Sequence, residues 1–147
     1  MGNLKIPPGK ESCVSLVADK KIAFRGKQTS TLCLLNPRKL RVEKLLVDGC
    51  AITEGPRCDW AVEVNERDFH EEIFIELKGS HFTQAAKQLV RTIKKLSSDA
   101  ARTKKRCLIA YTRCPMTGIE IRQLQQQFQH RYNARFKPVK SGSSHRL

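Results

Sequence analysis

The 147 residues predict a single α/β domain with a mixed β-sheet flanked by helices, on three observations. The length suffices for one hydrophobic core and little more. Short apolar and β-branched runs broken by turn dipeptides fill the first half of the chain. The second half alternates a helical period with a short apolar run, the pattern of a strand–helix–strand crossover, which makes part of the sheet parallel.

Taken in order, residues 1–10 (MGNLKIPPGK) carry two adjacent prolines and a glycine and read as an irregular arm over the core or over a substrate. Residues 13–17, 22–25 and 31–35 are short β-type runs separated by Ala18-Asp19-Lys20 and Gly26 and ended by Asn36-Pro37, so residues 1–40 form an N-terminal β-rich extension. Residues 41–47 read as a strand stopped by Asp48-Gly49. Residues 59–64 and 72–78 flank the polar stretch 65–71 and predict a hairpin. After Gly79-Ser80, apolar residues at Phe82, Ala85, Ala86, Leu89, Val90, Ile93 and Leu96 recur at helical spacing, with Ser80 or Thr83 available as the N-cap. Residues 106–112 have the length and composition of a buried strand, and 117–132 align Leu124, Phe128 and Tyr132 at intervals of four on a second helix. The folded domain then covers 1–133, and the basic, Ser- and Gly-rich residues 134–147 are expected to be a flexible tail.

Lys and Arg number 28 against 14 Asp and Glu, a net charge of +14 and a pI near 9.9. Such a field attracts polyanions, so nucleic acid is the expected partner. The distribution is uneven: residues 1–53 hold ten basic and four acidic side chains, 54–78 three and eight, 79–147 fifteen and two. An acidic island inside a polyanion-binding protein repels phosphate, and a bound divalent cation would offset it. The longest apolar runs are too short to span a membrane and no secretory leader is evident, which predicts a cytoplasmic protein. The six cysteines are accordingly expected as reduced, mostly buried thiols. A zinc set of Cys50, Cys58, Cys107 and Cys114 lacks any Cys-x-x-Cys half-site.

Hydrolysing a phosphodiester requires charge neutralisation at the phosphoryl oxygens and a deprotonated water, and divalent metal held by carboxylates provides both. Asp59 heads one hairpin strand and Glu76 lies near the end of the other, a spacing that antiparallel pairing brings side by side. Lys78 follows Glu76 by two, so alternation sets both on one face, and an ammonium there can act on a metal-bound water. Leu77 turns to the opposite face with Ile73 and Ile75.

This arrangement, Asp59, a hairpin, Glu76-Leu77-Lys78-Gly79 and a helix bearing Gln84 and Gln88, resembles the PD-(D/E)XK nuclease superfamily over residues 41–112. The resemblance implies a restriction-endonuclease-like core over residues 41–133, an αβββαβ unit in which Asp59 and Glu76 hold Mg²⁺ or Mn²⁺, Lys78 meets the attacking water, and Gln88, or else Gln84, joins them. It further implies a homodimeric endonuclease acting on DNA, with RNA as the other possible substrate. The chain departs from the pattern twice. Cys58 stands where a proline often precedes the Asp, with Pro56 two places earlier, and β-type sequence replaces the leading helix that normally adds an acid, leaving Glu11, Glu43, Asp48 and Glu63 as candidates.

On the following helix Lys87, Arg91, Lys94 and Lys95 share a face with the glutamines, and Arg102, Lys104, Lys105 and Arg106 follow; these are expected to contact phosphates. Trp60, Tyr111 and Tyr132 are expected in the core, His81 at the start of the helix, and His70 in solvent at the hairpin turn. Two other readings stay open: a nuclease fold that binds nucleic acid or a protein without cutting, and a basic RNA-binding protein, which would ordinarily show an aromatic-rich strand.

Overall fold

The computed structural model describes residues 3–26, 30–79, 82–113 and 116–147, with the backbone alone at positions 78 and 79. Among these, the strands are β1 (Val14–Val17), β2 (Lys21–Arg25), β3 (Thr31–Leu35), β4 (Val42–Leu46), β5 (Trp60–Glu66) and β6 (Phe69–Gly79). Helix α1 (Phe82–Leu96), β7 (Lys105–Tyr111), α2 (Gly118–Tyr132), β8 (Ala134–Lys140) and β9 (Ser144–Arg146) follow. The fold is α/β with mixed sheets: six strands in the order β1-β4-β5-β6-β7-β8, and a second sheet ordered β2-β3-β9. Strands β1, β4, β5 and β6 pair antiparallel, whereas β6, β7 and β8 run parallel. No helix among the described residues is long and apolar enough to cross a membrane.

Alternation along the strands builds two cores. In β5 and β6, Ala61 and Phe74 face the helices, while Val62, Val64, Ile73, Ile75 and Leu77 face the small sheet. The crossovers β6–α1–β7 and β7–α2–β8 advance in the same direction across the sheet, which puts both helices on one side. Helix α1 buries Phe82, Ala85, Ala86, Leu89, Ile93 and Leu96, the stripe that its sequence period predicts apart from Val90, which is half-buried at its margin. On the opposite side Ile22, Phe24, Leu32 and Leu34 of β2 and β3 pack on the sheet, each large apolar side chain contributing about 1.5–3 kcal/mol. Helix α2 starts at a capping box, in which the Thr117 hydroxyl accepts from Glu120 N and the Glu120 carboxylate accepts from Thr117 N. It ends at Asn133 in the left-handed region, φ 51°.

Three expectations are corrected here. The segment 134–147 is not a flexible tail: β8 closes one edge of the large sheet and β9 pairs parallel with β3. Ala134 and Phe136 face the helices and Val139 the other core, so a period-two pattern lies beneath the basic composition. Pro138 is tolerated because β8 is an edge strand. The polar stretch 65–71 contributes mostly strand, leaving Arg67 and Asp68 as the turn. The cysteines are not all thiols either, since Cys13 and Cys50 form a disulfide with their Cα atoms 5.8 Å apart. Cys13 directly precedes β1 and Cys50 lies in the turn after β4, and the antiparallel β1–β4 pairing brings those ends together. Cys33, Cys58 and Cys107 are free; Cys114 lies outside the described residues.

The disulfide spans 37 residues, so reducing it, or the double change Cys13→Ser and Cys50→Ser, is expected to lower stability by about 4 kcal/mol. Urea unfolding with and without reductant measures this, and the double variant should lose its response to reductant.

Candidate active site

The β5–β6 register begins at Trp60 opposite Ile75, and Asp59 lies in the bend just ahead of it, hydrogen-bonded to the residues on either side of Glu76. Backbone bonds hold Asp59 there: its N–H donates to Ile75 O at 3.1 Å, and Val47 N and Asp48 N both donate to Asp59 O, at 3.0 and 3.3 Å. The Asp59 carboxylate also accepts from Leu77 N at 2.7 Å through Oδ2. Glu76 shares the parity of Phe74, whose ring lies in the helix-facing core, so its carboxylate sits on the α1 side of the sheet, only 1% exposed. Asp59 is half-buried at the strand head.

Cys58, in the place of the proline, ties this strand head to α1. Its N–H donates to Thr92 Oγ1 at 2.9 Å, and Thr92 Oγ1 donates to Gln88 O at 2.8 Å. Burial pushes the Cys58 thiol well above its ordinary range; the nearby Glu76 carboxylate adds to that and Asp59 adds less, against a hydrogen bond with Thr92. Cys58 therefore stays protonated and packs rather than reacts. Gln88 is half-buried, and its Oε1 is buried with no hydrogen-bond partner among the described residues. Gln84 is exposed. Asp59 and Glu76 offer carboxylate oxygens and Gln88 a carboxamide oxygen, atom types that suit a hard divalent cation rather than zinc.

The backbone of Lys78 continues β6 two residues beyond Glu76, and the pairing with β7 shifts register between Leu77 and Gly79. Bulges of this kind re-aim side chains next to active sites. The Lys78 side chain lies outside the described residues, as do Ser80 and His81.

Of the four candidate extra acids, Asp48 alone adjoins Asp59, and its carboxylate holds Arg57 at 2.8 Å. Glu11 is exposed ahead of β1, two strands away. Glu43 pairs with Glu63, which pairs with Glu72, nearer the hairpin turn. There Glu63, His70 and Glu72 bring ligand atoms within 4.8 Å of one another, a set that could hold a metal. Its groups already serve the fold: Glu63 accepts from Leu4 N and meets His70 Nε2 at 3.0 Å, and Glu72 accepts from Ser97 and Ser98 at the end of α1. Burial raises the Glu63 carboxyl above its usual range, while His70 and the Leu4 amide pull it back. His70 is consequently not the solvent residue expected, its side chain being 10% exposed.

The basic residues divide into two groups. Lys87, Lys94, Lys95, Arg102 and Lys104 are exposed, Lys104 lying 5.8 Å from the Phe69 ring centre. Arg91 is half-buried and donates to Glu54 O and Pro56 O, clasping the loop ahead of Asp59. Gly55 in that loop has φ +77°, and a Cβ there would come 2.7 Å from the guanidinium carbon, so both backbone and contact require glycine. Lys105 is corrected outright: it is 1% exposed, and its Nζ donates to the carbonyls of Asp99, Thr103 and Tyr132. Arg106 likewise pairs with Glu71 at 2.8 Å. A run of four cations in sequence thus turns half of them inward.

The aromatic rings are packed as expected. Trp60 Nε1 donates to Arg25 O, and Lys44 lies 4.6 Å from the Trp60 ring centre. Tyr111 meets Phe82 and Tyr132 meets Phe128, both edge-on. What sequence reasoning missed is the Cys58–Thr92–Gln88 chain and the buried pair Glu63–Glu72. The latter carries a weak signal, because Glu63 and Glu72 are equidistant from the hairpin turn.

Comparison with family models, with curated proteins and with solved structures finds no match, so the side chains themselves carry the functional assignment.

Lys105→Met is expected to lower stability by about 1.5–3 kcal/mol, because carbonyls lose a charged donor, and to leave the DNA affinity of the folded protein unaltered. Urea unfolding and DNA titrations at two salt concentrations separate these effects.

Proposed function

We propose that this chain is a metal-dependent endonuclease that hydrolyses DNA phosphodiester bonds through a site of PD-(D/E)XK type on a restriction-endonuclease-like core. The observation that carries the reading is that Asp59 is hydrogen-bonded to Ile75 O and Leu77 N, on either side of Glu76, while Gln88, one turn before the Thr92 that holds Cys58 N, keeps a buried Oε1 without a partner among the described residues. The order β4, β5, β6, α1, then β7 parallel to β6, supports it, being the order the superfamily resemblance implies apart from its leading helix.

Mg²⁺, or Mn²⁺, bound there would offset phosphoryl charge and make a water acidic enough to attack at phosphorus. Asp59 and Glu76 are the anionic ligands and Gln88 the neutral one. The bond from Leu77 N leaves Asp59 one oxygen and fixes its direction before any ligand arrives. Lys78 is assigned the attacking water and the charge that grows on the phosphoryl oxygens. Lys87, Lys94, Lys95, Arg102 and Lys104 neutralise the flanking phosphates. Cutting both strands of a duplex requires two such sites, which a two-fold homodimer supplies.

Supercoiled, linear, branched and single-stranded DNA, and RNA, incubated with Mg²⁺, Mn²⁺ or EDTA, provide the test. Cleavage is expected to need metal and to fall by about 10²–10⁴-fold in Glu76→Gln, Asp59→Asn and Lys78→Ala, with unfolding midpoints close to that of the parent. Tight, salt-sensitive binding without cleavage under any metal would overturn the enzyme and leave a nucleic-acid-binding module.

A further inference from the structure

Helix α2 is under-used by the fold. Only Phe128 is fully buried in its 15 residues, and Ile119 is 64% exposed. Arg122, Gln126 and His130, spaced by four, form one exposed row, with Gln123 and Gln127 beside it. The side chains of Gln123, Gln126, Gln127 and His130 make no hydrogen bond to another described residue. The helix has a single acid, Glu120, and that is folded back into the capping box. A helix kept merely in solvent carries mixed charges in pairs three or four apart, and this face has none.

The ground on either side is shaped to match. A concavity of about 580 Å³ separates α2 from α1, and Lys87, Arg91 and Lys94 line its far side. A second, also of about 580 Å³, runs along the other flank, with Arg135 of β8 lining it. The helix therefore stands between two troughs: the first carries exposed Lys87 and Lys94 beyond an apolar stretch with Val90, Leu124 and Phe128, and the second carries one cation off the helix, Arg135. B-form DNA presents the complement: a major groove about 12 Å wide that admits one α-helix, bounded by two phosphate backbones. At 1.5 Å per residue α2 is about 22 Å long, enough to cross several base pairs. Carboxamide and guanidinium are the groups that read adenine and guanine edges through paired hydrogen bonds. Because β7 runs parallel to β6, α2 begins at the sheet edge where Glu76 lies, so reading and cutting share one edge.

We infer that α2 is a base-reading helix that enters the major groove of duplex DNA, with Arg122, Gln123, Gln126 and His130 on base edges and the trough walls on phosphates. This rests on the nucleic-acid reading of the chain and adds to it a substrate form and a source of sequence preference.

A pool of duplexes with a randomised core, selected in EDTA so that nothing is cut, gives the base-preference profile of the parent. Gln126→Ala, and Arg122→Ala with Gln123→Ala, are expected to flatten that profile at one or two base pairs. Affinity for the selected sequence should drop about 5- to 100-fold. Lys94→Ala, on a trough wall, should instead weaken all duplexes alike and reduce the salt slope by about one. All these residues are exposed, and unchanged melting curves would confirm intact folding. A parent without base preference, α2 variants that lose affinity equally for every sequence, or tighter binding to single strands, RNA or an acidic polypeptide would overturn the inference. Should metal-dependent cleavage persist in that case, the nuclease reading stands and α2 alone is misassigned.

Discussion

The register between β5 and β6 is the constraint on which both cores and the candidate site depend. Side chains alternate with a period of two, so a slip of one residue would send Phe74 out of the helix-facing core and bring Ile73 and Ile75 into it. The same slip would separate Asp59 from Glu76 and bury one of them against the small sheet. Hydrophobic packing thus enforces the carboxylate geometry, although the buried Glu76 carries a desolvation cost. Register also sets Glu63 against Glu72 in mid-strand, where two buried carboxylates repel. His70, Ser97, Ser98 and the Leu4 amide offset that repulsion, and in doing so they fasten the N-terminal arm and the end of α1 to the hairpin.

Sequence reasoning reached furthest where one local period dominates. The limits of α1 follow from Phe82, Ala85, Leu89, Ile93 and Leu96, and the hairpin from two alternating runs around a polar turn. Asp59 and Glu76 were legible because their juxtaposition needs only that hairpin. The missed features depend on partners remote in sequence. Lys105 and Lys104 are adjacent and alike in composition, yet only one has three carbonyls waiting for it, one from the distant Tyr132. Strand β8 was hidden because an edge strand tolerates the Lys, Arg and Pro that elsewhere signal a tail. Cys13 and Cys50 meet through the β1–β4 pairing, which no property of either neighbourhood announces.

The candidate site stands on rigid elements rather than on loops. Asp59 is held by β4, β5 and β6 together, and Cys58 and Arg91 link the loop before it to α1. A carboxylate positioned by several elements loses little freedom when a ligand arrives, and that is the condition for strong electrostatic catalysis. The cationic surface is arranged differently, on helix faces and on the connection after α1, where long side chains adapt to a backbone path.

The small sheet joins distant parts of the chain. Its central strand β3 comes from the first quarter of the sequence, and one of its two neighbours, β9, comes from residues 144–146. Leu147 N donates to Leu35 O, and Arg106 reaches across to Arg146 O. The β2–β3 hairpin can form locally, but the other edge of β3 has its partner only once residues 144–146, far downstream, have been made. This layer is therefore completed late in synthesis, and loss of residues 144–146 would leave that edge of β3 open as a template for pairing with another chain.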